Sequence, residues 1–288
     1  MRNEQTSGRA RPRYAVKAVE KALTILEALG KEPDELRLAD LSRRLAIEKS
    51  TLHRLLGTLE GQGFVRRDPV SRRYSLGIKM LELGTAVTVR SALGRAAGPV
   101  LDRLAIRCQQ TVNLAVLDGD EILYVAKRES PEPLRLTVEV GRRLPAHCTA
   151  LGKALLAFRP APEVRRLFSR RRRLRQFTPN SITDPRDLVR HLEEVRRAGI
   201  AVDREELVRG LRCVAVPVLD FTGYAVAAIS ISAAAVTLGE DRVTELRPLL
   251  EEATAEISKA LGGPPSPPGA PSFQGGPELR PRSERRGG

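Results

Sequence analysis

Five side chains in one short run could read a nucleic acid: Lys49, Ser50, Thr51, His53 and Arg54. All five can donate hydrogen bonds to phosphates and base edges, and no acidic group sits among them. On the same run Leu52, Leu55, Leu56 and Leu59 recur at i, i+3, i+4, i+7, one apolar stripe on a 3.6-residue period. Residues 49–59 are therefore expected to form a helix with one buried face and one basic, hydroxyl-rich face. Leu38 to Leu45 is apolar-patterned in the same way, and Ala46-Ile47-Glu48 makes a tight turn between the two. That is the pattern of a helix-turn-helix. After Gly61 and Gly63, apolar Phe64 and Val65, then Tyr74 and Leu76, flank an Asp68-Pro69 turn. A β-hairpin wing is expected there, with Arg66, Arg67, Arg72 and Arg73 near its tip. The helical pattern alone would also suit an ordinary bundle; the basic wing turns the reading toward double-stranded DNA.

A second group of residues could hold a small molecule. Thr149 precedes a helical run, so the backbone N–H groups of Ala150, Leu151 and Gly152 are expected as the free donors of a helix start. Such a place favours an anion. In the strand expected over 224–232, alternation puts Val226, Ala228, Ser230 and Ser232 on one face. Cys213, Ala215 and Pro217 share a face of the preceding strand, and Asp203 lies just before it. Two hydroxyls amid apolar side chains suit a pocket wall with a few convergent polar groups. They would also suit satisfied core hydroxyls, and Cys213 taken alone reads as a small buried hydrophobe.

The elements that must carry these residues follow from periodicity. An amphipathic helix over 14–30 supplies the third helix behind the other two, and Leu36-Arg37-Leu38 is extended and free to pair with the wing. Residues 77–90 repeat Ile78, Leu81, Leu83, Ala86 and Val89, apolar nearly all round, which suits self-association. A helix over 91–110 comes next. Strands are expected at 111–117, 121–127, 134–140, 213–219 and 224–232, and helices at 149–158, 162–168, 184–198 and 239–261. Strands and helices mix without βαβ alternation, so the class is α+β with an antiparallel-rich sheet. The domain reading is 1–13 a disordered basic arm, 14–76 a winged helix-turn-helix, 77–92 a linker and dimerisation helix, 93–262 an effector-binding domain, and 263–288 a Gly/Pro/Ser-rich disordered tail.

Composition narrows the partners. The chain has 288 residues and a formal charge of +14. Residues 1–90 hold 18 Lys+Arg against 11 Asp+Glu, an excess of seven on under a third of the chain, as a polyanion binder would have it. Three scattered cysteines with no CxxC fit reduced thiols and no zinc finger, so a cytoplasmic protein without metal or other cofactor is expected. No run of 18 apolar residues appears, so no membrane partner is expected. Arg170 to Arg173 with Arg175 reads as a solvated basic loop.

Four motifs in register resemble the IclR family of bacterial transcriptional regulators. They are Lys49-Ser50-Thr51-Leu52-His53-Arg54-Leu55-Leu56; the run from Leu144-Pro145-Ala146-His147-Cys148-Thr149 through Ala157; Asp203-Arg204-Glu205-Glu206 followed by Gly210 to Val218; and Ala228-Ile229-Ser230-Ile231-Ser232. The resemblance covers roughly residues 15–262. It implies a winged helix-turn-helix, a dimerising linker helix and a GAF-like C-terminal domain. It further implies a dimer or a dimer of dimers, and an operator affinity modulated by a small organic, typically carboxylic, acid. Positions matching Ala150, Leu151, Asp203, Cys213, Ser230 and Ser232 would line the effector site; some members carry smaller residues where Ala150 and Leu151 stand. The competing class is a thiol-dependent hydrolase using Cys213 or Cys148 with His147. That reading needs a nucleophile–base pair with an orienting third group, and no spacing supplies one, so no enzyme is expected.

Overall fold

The computed structural model describes residues 14–32, 34–89, 91–130, 138–169 and 171–265, with the side chains of 85–89 left out. The chain divides into two compact units, 1–91 and 92–288. The arm expected over 1–13 and the tail beyond 265 lie outside the described residues.

In the first unit α1 (Lys17–Lys31), α2 (Leu38–Leu45) and α3 (Lys49–Gly61) pack around Ile25, Leu29, Leu41, Ile47, Leu52 and Leu56. The turn between α2 and α3 forms because Ala46 takes a left-handed conformation, φ 52°, which lets its N–H close on the Ser42 carbonyl. The Ser42 hydroxyl donates to the Ile47 carbonyl at 2.7 Å and ties the far side of the same turn. The wing is β1 (Val65–Arg67) against β2 (Tyr74–Leu76), antiparallel, with Leu36 bridging Tyr74 on its free edge as expected. Burying Val65 and Tyr74 fixes the hairpin to the three-helix core. The apolar pattern expected over 14–30 is only partly used: Ile25 and Leu29 are buried, while Val16, Val19 and Leu23 stay exposed. α4 (Ile78–Val89) follows, and its Ile78, Leu81 and Leu83 are exposed. Ala86 and Val89, counted in the same apolar pattern, lie outside the described side chains.

The second unit is one antiparallel sheet of six strands in the order β5-β4-β3-β8-β7-β6. These are β3 (Thr111–Asp118), β4 (Glu121–Arg128), β5 (Arg143–Pro145), β6 (Ala201–Arg204), β7 (Leu211–Leu219) and β8 (Ala225–Ala234). One face packs on α5 (Ala92–Cys108) and α9 (Glu240–Ala260) through Val112, Leu114, Val214, Val216, Ile229 and Ile231. The other packs on α6 (Ala150–Ala157), α7 (Ala161–Phe168) and α8 (Pro185–Ala198). The period-2 alternation of β7 and β8 thus serves two cores at once, so β7 is buried throughout 214–219 and β8 throughout 227–231. The helices start and stop where capping chemistry sets them: Asp184 accepts from the Arg186 N–H, and Gly199 ends α8 in a left-handed conformation.

Two expectations about the sheet need correction. Of the strand expected at 134–140, residues 134–137 lie outside the described residues and 138–140 are not strand; the partner of β4 is β5, pairing Glu121 with Pro145. The edge strand β6 was not expected, because its four residues Ala-Val-Asp-Arg are too few to show an alternation.

Candidate functional site

Each unit carries one candidate site. In the first, α3 presents Lys49, Ser50, His53 and Arg54 exposed on the face opposite buried Leu52 and Leu56, with Thr51 half-buried. The first turn of α3 carries no acid, and an acid stands just before it. Glu48 is the N-cap residue, and its carboxylate accepts from the backbone N–H groups of Ser50 (3.0 Å) and Thr51 (3.2 Å) and from the Ser50 hydroxyl. Those hydrogen bonds, the Ser50 hydroxyl's first, draw its carboxyl down to about 2. The wing arginines are not equivalent. Arg66 pairs with Glu35 at 2.8 Å, Arg67 lies 5.4 Å over the Tyr74 ring, and Arg73 donates to the Glu35 carbonyl at 3.3 Å. Arg72 sits exposed at the tip with φ 58°.

In the second unit all six residues singled out by sequence line one cavity: Ala150, Leu151, Asp203, Cys213, Ser230 and Ser232. The register explains why. Asp203 is opposite Cys213, Cys213 is opposite Ser232, and Ser230 is the next inward position along β8. Residues opposite one another across an antiparallel ladder share a face, so three strands aim these groups at the start of α6. There the Thr149 hydroxyl accepts from the Gly152 N–H at 3.1 Å. Gly152 is thus capped and not a free donor, which corrects the expectation of three. The cavity is narrow, about 30 Å³, and Leu207 and Leu211 close it from the β6–β7 side. Leu211 and Ser232 also face a wider neighbouring groove of about 200 Å³ that includes Arg209.

Two groups on this cavity escaped sequence reasoning. Asn113 on β3 donates from Nδ2 to Ser232 Oγ (3.2 Å) and Ser230 Oγ (3.5 Å), and Tyr124 on β4 lies beside it. The strand pairing of β3 with β8 places Asn113 opposite Ser230, a neighbour no spacing in the sequence shows.

Electrostatics set Asp203 apart. Its carboxylate accepts from the Glu206 N–H at 2.7 Å, yet burial, reinforced by the nearby Glu206 carboxylate, pushes it up to about 7. Glu206 in turn pairs with Lys153, a lysine with no solvent exposure that also donates to the Val202 carbonyl at 2.7 Å. Burial raises the Cys213 thiol and takes Cys148 up to about 12. His147 bonds through Nε2 to the Arg175 carbonyl at 2.9 Å, and burial lowers its pKa. No group of three or more His, Cys, Asp or Glu is placed to hold a metal ion among the described residues. No helix among them is long and apolar enough to cross a membrane.

The comparisons with known proteins agree in both units. Residues 85–259 match the model of the bacterial transcriptional regulator IclR C-terminal domain, and residues 18–69 match the IclR helix-turn-helix domain. The chain belongs to the IclR family. It is a DNA-binding transcriptional regulator with an effector-binding C-terminal domain. It is 37% identical to the HTH-type transcriptional regulator KdgR of Dickeya chrysanthemi over 86% of this chain and 81% of that one. It resembles the crystal structure of the Thermotoga maritima IclR at 35% identity and a TM-score of 0.71, covering 85% of this chain and 98% of that one. It also resembles an IclR homolog from Microbacterium hydrocarbonoxydans complexed with 4-hydroxybenzoate, at 26% identity and a TM-score of 0.76, over 85% and 99% of the two chains.

Proposed function

We propose that this IclR-family regulator reads a double-stranded operator with Lys49, Ser50, Thr51, His53 and Arg54 while Arg66, Arg67, Arg72 and Arg73 meet the backbone, and that a small carboxylic acid bound by Ala150, Leu151, Asp203, Cys213, Ser230 and Ser232 modulates that binding. The observation that carries it is a cavity lined by residues of three strands and by Ala150 and Leu151 of the first turn of α6. The backbone N–H groups of that turn complement a carboxylate, and the small walls admit a short skeleton. A homolog of the same fold holding 4-hydroxybenzoate supports an acid here. The effector acts by a differential affinity for two arrangements of the regulator.

Self-association completes the reading. Val16 at the N-cap of α1, Val19 and Leu23 of α1, and Ile78, Leu81 and Leu83 of α4 are exposed apolar groups in the DNA-binding unit, suited to a second copy of the chain. A homodimer, or a dimer of such dimers, presents two reading helices to two half-sites. The chain works in the cytoplasm, where its three cysteines stay reduced. It is not an enzyme: burial suppresses the Cys148 and Cys213 thiolates, and His147 spends Nε2 on a backbone carbonyl.

The test is a gel shift of the full chain on DNA upstream of its own gene, repeated with small carboxylates and with their amides. A specific shift that acids change and amides leave alone is expected. A shift on every sequence alike would remove the operator reading; equal action of acids and amides would remove the anion site.

A further inference from the structure

The groups around the cavity divide by hydrogen-bonding sense. At the start of α6 the backbone N–H groups of Ala150 and Leu151 come before the first bond of the helix ladder, Lys153 N–H to the Thr149 carbonyl at 3.0 Å, and are donors by position. On the opposite wall Asn113 is 3% exposed, and its Nδ2 is already occupied by Ser232 Oγ at 3.2 Å and Ser230 Oγ at 3.5 Å. That leaves Asn113 Oδ1, buried and with no hydrogen-bond partner among the described residues. An amide oxygen has two lone pairs and can only accept. A buried acceptor left unpaired costs free energy that a ligand donor recovers.

We propose that Asn113 is a specificity-determining residue of the effector site, and that its Oδ1 receives the hydroxyl of a small hydroxycarboxylic acid whose carboxylate lies at the start of α6. This rests on the acid-binding reading above and adds the second functional group. Asn113 also acts through its neighbours. Because Nδ2 donates to Ser230 Oγ, the Ser230 hydroxyl hydrogen is left to turn toward the ligand, while the Ser232 hydroxyl is shared with the Cys213 thiol. One side chain thus offers the acceptor and orients a donor. A keto acid of the same skeleton presents only acceptors and leaves Oδ1 unpaired; a plain acid leaves it unpaired too.

The experiment uses three probes with one skeleton: lactate, pyruvate and propionate. Each is titrated calorimetrically into the full-length protein, with Asn113→Leu and Asn113→Thr beside the wild type. Leucine matches the asparagine in size and removes the acceptor; threonine keeps a hydroxyl oxygen and suits a strand, so a folding failure of the first variant leaves the second to report. Lactate is expected to bind the wild type roughly tenfold or more tighter than propionate or pyruvate, the scale of one buried partner left unmade. Asn113→Leu is expected to bring lactate to the level of propionate, and Asn113→Thr to restore part of the gap. Pyruvate binding best would mean that the amide presents Nδ2 instead, which overturns the proposal. So would a lactate preference that survives in Asn113→Leu. Equal binding of all three probes to the wild type overturns the hydroxyl assignment but leaves the acid reading standing, whereas no binding by any of them removes both.

Discussion

Lys153 and Glu206 form an ion pair in which the lysine has no contact with solvent. The pair joins the second turn of α6 to the loop after β6, so it connects the helix start that lines the cavity to the strand that carries Asp203. Glu206 uses its backbone N–H on Asp203 and its side chain on Lys153, and its Oε2 has no further partner among the described residues. A charge so placed is tolerated only while its partner is present.

Lys153→Met should therefore destabilise the second unit by about 3–5 kcal/mol, the cost of stranding a buried carboxylate. Combining it with Glu206→Gln should recover a large part of that loss, since the uncompensated charge is then gone. Urea unfolding of the two variants measures both. A single variant as stable as the wild type would show that the pair is solvated in solution.

Asp203 gives a pH dependence whose sign can be worked out. Its folded carboxyl titrates near 7 against an ordinary value of 3.8. Between those values the folded chain keeps a proton that the unfolded chain has lost. Stability contributed by this group is full below about pH 4, falls as pH rises toward 7, and is level above. An effector carboxylate, ionised throughout, meets a neutral Asp203 at about pH 6 and a charged one at about pH 8. Affinity should weaken across that interval, and Asp203→Asn should hold it at the low-pH level. Titrations with one acid at both pH values decide it; a pH-independent affinity in the wild type would count against Asp203 facing the acid.

Much of this was legible in the sequence, and what was missed has a common cause. Leu52, Leu55, Leu56 and Leu59 sit on one helix face, so a local period marks α3 and its polar side. Ser230 and Ser232 were placed on one face by alternation alone, and the ladder with β7 and β6 brings Cys213 and Asp203 beside them. Asn113 lies more than a hundred residues away and meets Ser230 only because β3 pairs with β8. Lys153 reads as a polar position in a helix, and only the packing of α6 on β6 and β7 buries it. The cap at Glu48 was missed for a different reason: glutamate is a less usual N-cap than aspartate, serine or threonine. Its carboxylate nonetheless reaches two backbone N–H groups of α3.

On α3, Arg54→Ala and Thr51→Ala should each cost on the order of 1–3 kcal/mol of specific binding and leave the fold intact, because both lie on the face away from Leu52 and Leu56. Fluorescence anisotropy on operator and scrambled DNA at matched salt separates this from a general loss. Unchanged affinity in both variants would mean that another element reads the bases.

On the wing, the intramolecular ties rank the arginines. Arg72 has its side chain exposed at the tip, whereas Arg66 is committed to Glu35 and Arg67 to the Tyr74 ring. Arg72→Ala should weaken specific and random DNA alike and flatten the salt dependence by about one unit of slope, as removal of one phosphate contact does. Arg66→Ala should flatten it less. The reverse order in a salt titration would show that Glu35 releases Arg66 when DNA binds.

Leu211 is expected to limit the size of acid that the proposed site accepts. Its side chain stands between the narrow cavity of about 30 Å³ and the groove of about 200 Å³ beyond it, touching both. Ala150, Cys213, Ser230 and Ser232 are small, and of the bulky side chains on the lining Leu211 is the one that also lines the groove. Leu211→Ala removes that partition and should merge the two volumes, bringing Arg209 of the groove within the same compartment. The variant should lose on the order of 2 kcal/mol of stability, at the low end for a leucine truncation because the space it leaves opens to an existing groove. It should bind benzoate more tightly than the wild type does, while the smaller propionate gains less. Thermal shifts of both proteins with both acids read the outcome. Equal gains for the two acids would mean that Leu211 hinders entry and does not set size, and no gain for benzoate would place the limit at Leu207 or Leu151.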